Sequence, residues 1–192
     1  RAISMDTENL NYWVNISGVF RQTKQFDSAG YYFMKQLYKK TEQSAVMFQT
    51  LGNFYNDMKV YDSAIVYFRK AKEMDPAYIP AYTNAGVAFM NMEMNDSAFV
   101  YLSKAAKLDP NSHTASLNLG LIYHAMERYD SAIVYIRNAI RLDPSKGKTY
   151  YQLACSYALN NNPEQAIVYL GQAYERGYKN VETLLTDPDL SG

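Results

Sequence analysis

The chain has 192 residues but only one cysteine and two histidines. A single cysteine excludes an internal disulfide, and these side chains are too few for a Cys/His zinc site. An excess of one charge is missing too, since nineteen Lys and Arg balance nineteen Asp and Glu. Nothing here is basic enough to drive nucleic-acid or membrane-surface binding. No apolar run approaches the ~20 residues that cross a bilayer, so direct membrane insertion is not expected. Glycine and proline are scarce, and no Gly-rich phosphate loop, paired-carboxylate motif or metal spacing occurs. No cofactor is implied. What is present is 48% apolar residues, enough for one or two globular domains, and nineteen tyrosines.

Repetition decides the fold. The segments DSAIVYFRKAKEMDP, DSAFVYLSKAAKLDP and DSAIVYIRNAIRLDP begin at Asp62, Asp96 and Asp130, 34 residues apart. A looser copy starts at Glu164, and another, one residue out of register, at Asp27. Each unit carries two apolar patterns of helical period: Leu119 and Tyr123 on one helix, Ala132, Ile136 and Ala139 on the next. Asp130 falls in the first turn of the second helix, where acids complement the free amides. Asn162, Pro163 and Glu164 read as N-cap, first-position proline and first-turn acid. Pro76, Pro110 and Pro144 mark helix ends, because proline cannot continue a helix. The unit is an antiparallel helix pair, and strands are not expected.

The pattern resembles the tetratricopeptide repeat (TPR), an aromatic-x2-Leu-Gly-x2-Tyr helix followed by Ala-x3-Phe, Ala and Pro. Phe48, Leu51, Gly52, Tyr55, Ala64, Phe68, Ala71 and Pro76 match in full. The unit around Leu119, Gly120 and Tyr123 has Ser116 where an aromatic belongs. The resemblance implies an all-α, right-handed solenoid of helix-turn-helix repeats. Repeats are expected at 10–44, 45–78, 79–112, 113–146 and 147–180. Residues 1–9 match the close of an upstream repeat, and 181–192 the cap segment that ends many bacterial arrays of this family. Gly86 and Gly120 are expected to accept nothing larger than alanine, because paired helices touch there.

Several constellations invite chemistry, and each has a plainer reading. Cys155 and His124 could serve as nucleophile and base, but no orienting third group or oxyanion site accompanies them. Cys155 is read as a small buried hydrophobe, His113 as a solvated side chain, and the chain as no enzyme. Tyr32, Tyr67, Tyr101, Tyr135 and Tyr169 repeat along the second helices and read as packing with the hydroxyl at the surface. Beside them, Val66, Val100, Val134 and Val168 stand where the family usually has a polar residue. They form either a convex contact surface, which would allow homo-oligomers, or isolated valines covered by neighbours such as Arg69 and Arg137.

The family resemblance implies binding in the concave groove. The implied lining is Gln49, Asn53, Thr83, Val87, Met90, Leu117, Leu121, His124, Tyr151 and Cys155, with Val14 and Gly18 further upstream. Chaperone-binding members clamp a terminal carboxylate with Lys, Arg and Asn; only Asn53 of that set survives, since Val14, Thr83 and Val87 hold clamp columns. The implied function is a non-enzymatic module that docks a peptide or partner protein inside a larger protein. Its groove is polar toward Gln49 and apolar toward Leu117, unless the chain beyond Gly192 fills the apolar half. The alternatives are an assembly module of an envelope or secretion complex, or a regulatory domain of an enzyme. Cytoplasm and bacterial periplasm both stay open.

Overall fold

The structure is a computed structural model that describes residues 43–179. Expectations at 1–9, at most of 10–44 and at 181–192 lie outside the described residues. A division between Glu93 and Met94 gives two compact units. The first contains α1 (Ala45–Asp57), α2 (Tyr61–Met74) and α3 (Ile79–Asn91). The second contains α4 (Asn95–Leu108), α5 (His113–Ala125), α6 (Tyr129–Leu142), α7 (Gly147–Leu159) and α8 (Pro163–Glu175). Every described element is a helix, in the paired order that the repeat requires.

Local chemistry sets these boundaries. Ser44, Ser112 and Asn162 cap α1, α5 and α8, each side chain accepting from the backbone N–H three residues on, at 3.2 Å. The second helices α2, α4 and α6 have no side-chain cap but carry Asp62, Asp96 and Asp130 in the first turn. Within each pair the chain reverses through a left-handed residue: Lys59, Glu127 and Asn161 have φ of 61°, 58° and 55°. After α2, α4 and α6, the Oδ1 of Asp75, Asp109 and Asp143 accepts from the N–H of Ala77, Asn111 and Ser145 at 2.9–3.0 Å. The prolines sit one residue past these caps, as expected.

Close approach of paired helices organises both cores. In the first unit Met47, Phe48, Leu51 and Phe54 pack with Ala71 of α2 and Ala81 of α3. In the second, Ala132, Ile133 and Ile136 of α6 meet Leu153 of α7. The contact is tighter than the sequence suggested. A Cβ on Gly120 would lie 2.4 Å from Ile136 Cγ1 and 3.1 Å from the Ile136 backbone nitrogen, so alanine itself does not fit. At Gly52 it would lie 2.4 Å from the Phe68 ring. Where the aromatic is replaced by Ser116, the space is bridged by a hydrogen bond from Asn138 Nδ2 to Ser116 Oγ at 2.8 Å. The bond satisfies the buried Ser116 hydroxyl from a half-buried amide.

Three of the repeated tyrosines, Tyr67, Tyr135 and Tyr169, are packing elements stacked on an aromatic of the paired helix. Tyr55–Tyr67, Tyr123–Tyr135 and Tyr157–Tyr169 have ring centroids 5.3 Å apart, with planes within 16° of parallel. Burial, and then the neighbouring Tyr169, push the Tyr157 hydroxyl above the ordinary tyrosine range. His113 is not solvated: its ring is half-buried and Nδ1 lies 3.0 Å from the Ala139 carbonyl, so it donates there to α6.

Two predictions follow from these contacts. Gly120→Ala should lower stability by ~1–3 kcal/mol through overpacking. Gly171→Ala, where a Cβ meets open space, should raise it by up to about 1 kcal/mol because alanine favours helix; thermal melts that rank the two alike would refute the packing. Hydrogen bonds from Ser145 hold the Asp143 carboxyl below the usual range. That stabilisation is present above the unfolded carboxylate pKa and lost as pH falls through the folded one. The melting-temperature gap between the parent and Asp143→Ala should therefore narrow as pH falls below about 4.

Candidate functional site

In the first unit, Gln49, Asn53 and Asn56 follow at spacings of four and three, so three carboxamides share one side of α1. They are not all idle. The Tyr78 hydroxyl donates to Gln49 Oε1, and Asn84 Nδ2 of α3 donates to Asn53 Oδ1 at 2.9 Å. Burial, and then the charge of Asp75, raise the pKa of that tyrosine and keep it a donor. Thr83, Val87 and Met90 on α3 are half-buried, with the Thr83 hydroxyl turned back to the Ile79 carbonyl at 3.3 Å. Asn56 went unnoticed in the sequence. Its Oδ1 is buried and has no hydrogen-bond partner among the described residues. The signal that could have found it is its place one turn after Asn53, in the same stripe.

The second unit changes one half of this arrangement. Two repeat lengths after Asn53 and Asn84 stand Leu121 on α5 and Gln152 on α7. Leucine can neither donate nor accept a hydrogen bond, so at that position it offers Gln152 no polar partner. Among the described residues Gln152 Oε1 is buried with none. A buried polar atom left unsatisfied costs about 1–3 kcal/mol.

His124 lies one turn beyond Leu121, half-buried, with Nδ1 3.0 Å from Ser156 Oγ. The Ser156 hydroxyl spends its only proton on the Gln152 carbonyl, 3.0 Å away. Nδ1 of His124 must therefore carry the proton and donate to Ser156. The ring is also set edge-on against Tyr129, with centroids 5.5 Å apart. This histidine is positioned by Ser156, which is not the arrangement that a cysteine nucleophile requires.

The structure does not bring all the expected lining into the open. Cys155 and Tyr151 lie inside the packing, 5% and 7% exposed, clustered with Tyr150 and Ala173. Tyr178 stacks on Tyr151 at 4.8 Å and supplies part of that cover. Leu117 is half-buried against the Ala132–Ile136 cluster. Leu121 and His124 are the remaining half-exposed members of the second unit's set. The valines behave differently: Val66, Val100, Val134 and Val168 are 49–65% exposed. Among the described residues no group of three His, Cys, Asp or Glu is placed to hold a metal. No described helix is long and apolar enough to cross a membrane.

A double-mutant cycle tests the missing partner. Leu121→Asn should restore the amide pair with Gln152, with a favourable coupling of about 0.5–1.5 kcal/mol against Gln152→Leu. Zero coupling in denaturant titrations would mean that Leu121 and Gln152 do not face each other.

Comparison with known proteins agrees with the architecture. Tetratricopeptide-repeat profiles match residues 45–78, 79–112, 114–146 and 147–176. No curated protein sequence matches the chain. Among solved structures, a crystal structure of MamA is 24% identical with a TM-score of 0.73, covering 94% of this chain and 99% of its own. MamA from Desulfovibrio magneticus RS-1 is 17% identical with a TM-score of 0.75, covering 93% and 99%. PilF of Pseudomonas aeruginosa is 18% identical with a TM-score of 0.78, covering 91% and 79%. At these identities the likeness speaks for the fold alone. With the helix pairs, the small-residue contacts and the profile matches together, the chain belongs to the tetratricopeptide-repeat family of protein–protein interaction scaffolds.

Proposed function

We propose that the first helices of the repeats hold a peptide segment of a partner protein, recognised by its backbone and by one or two apolar anchors. The observation that carries this reading is the pair of buried carboxamide oxygens, Asn56 Oδ1 and Gln152 Oε1, that have no partner among the described residues. Each belongs to a half-buried side chain on a first helix of its own unit, and a turn of that side chain brings the oxygen to a backbone N–H arriving from outside. In the first unit, the Asn53–Asn84 bond leaves the Asn53 amide hydrogens and the Asn84 carbonyl oxygen to spare. One donor and one acceptor side by side match the C=O and N–H of a peptide unit. In the second unit, Leu121 offers an apolar surface in place of Asn53. Such a surface selects an aliphatic or aromatic anchor, whose truncation to alanine costs ≥ about 2 kcal/mol in a true hot spot.

Neutral amides and leucine predict a weak salt dependence. Peptides of about twelve residues, selected from a random library on the full chain, should change affinity less than roughly threefold between low and high salt. Asn56→Leu should hold or raise the melting temperature while weakening those peptides about tenfold or more, because it removes an unsatisfied atom that only a ligand uses. Leu121→Asp should abolish capture at the second unit with thermal stability nearly intact. Unfolding of Leu121→Asp would place that side chain in the core. Unchanged binding in both variants would move the partner to another face.

A further inference from the structure

We propose that the second-helix face of the second unit is a contact between two copies of this chain, arranged about a two-fold axis that runs across the helices through the valines. The inference goes beyond the peptide-binding reading and does not depend on it. Val100, Val134 and Val168 hold the same position in α4, α6 and α8, and are 65%, 64% and 49% exposed. Second helices of this family usually carry a polar residue there, so the apolar column departs from what solvent alone would favour. Three large apolar side chains repeated at one position form a stripe, whereas a single exposed valine would need no explanation.

Charge indicates the occupant. Four residues before the valines stand Asp96, Asp130 and Glu164, all exposed. Three or four residues after them stand Lys104 and Arg137, also exposed. At ~1.5 Å per residue, an acidic column runs ~6 Å to one side of the valines and a basic column ~5–6 Å to the other. Asp130 Oδ1 accepts from Asn160 Nδ2 at 2.8 Å, and Arg137 bonds the Tyr157 hydroxyl. Neither contact neutralises the charge.

An acid–valine–base surface is complementary to itself in one orientation. A two-fold axis along the valine column reverses the helix direction and keeps the repeat order. It sets Asp96 against the partner's Lys104, Asp130 against the partner's Arg137, and each valine against its own copy. Rotation about an axis parallel to the helices would oppose acid to acid, which is unfavourable. The contact is isologous, so it closes as a dimer and does not propagate. First-turn acids also serve the helix dipole, but the dipole does not call for bases on the far side of an exposed valine column.

The test uses the full chain in sedimentation equilibrium up to roughly 1 mM. Asp96→Lys with Asp130→Lys turns basic the two positions that face the partner's Lys104 and Arg137. Lys104→Glu with Arg137→Glu turns acidic the two positions that face the partner's Asp96 and Asp130. Each variant alone should self-associate at least about tenfold more weakly than the parent, and an equimolar mixture should recover affinity to within about threefold. Val134→Glu should abolish dimerisation at unchanged helicity by circular dichroism. A parent that stays monomeric at the highest concentration overturns the proposal. So does a dimer that survives Val134→Glu, or a pair of charge variants whose mixture recovers nothing. A dimer lost on Leu121→Asp but kept in all three face variants would mean that the groove, and not this face, joins the copies.

Discussion

The architecture depends on one steric fact, that paired helices touch where a side chain has been dispensed with. Gly52 against the Phe68 ring and Gly120 against Ile136 leave no room for a single carbon. That proximity brings Tyr55 over Tyr67 and Tyr123 over Tyr135, and lets alanines form the interior of each second helix. Because each helix pair is held mainly by its neighbours, stability adds up repeat by repeat and does not come from one central core. The surfaces on either side of that packing are then free to vary.

Two units drawn from one pattern have used that freedom differently. The first keeps a row of amides on α1, two of them partnered by Tyr78 and Asn84. The second places Leu121 at the corresponding position, and Gln152 has a buried oxygen that no described residue satisfies. Folding alone would have removed such an atom, since an apolar side chain of similar size costs less. Buried polar atoms of this kind are expected where binding, not stability, has set the residue.

Much of this was legible in the residues before any coordinates. The 34-residue period, the first-turn acids, the Asn162 cap and the prolines after α2, α4 and α6 all pointed to the right elements. They did so because they act locally, within a turn or two. The valine column could be read as one departure that recurs at a fixed position, but whether neighbours such as Arg137 cover Val100 and Val134 could not. What escaped was pairwise and distant along the chain. That Asn53 would be engaged by Asn84, 31 residues on, or His124 by Ser156, 32 on, requires knowing how far side chains reach between helices. Tyr151 and Cys155 stand in lining columns, yet Tyr178, from the turn after α8, packs against Tyr151 and helps cover it. Column arithmetic does not see that kind of cover.

The bond between Ser116 and Asn138 has a consequence for assembly of the chain itself. Helices built to one template can dock in one another's places, and a scaffold of near-copies risks pairing the wrong two. The Asn138 amide N–H finds its acceptor in Ser116, while its Oδ1 accepts from Arg141 of the same helix; set against Phe48, Tyr82 or Tyr150, which hold that position in other repeats, the N–H would meet a ring in place of a hydroxyl. A wrong partner for α6 therefore carries an unsatisfied polar group, and the correct one does not. One departure from the repeat thus works as an address, telling α6 which first helix is its own.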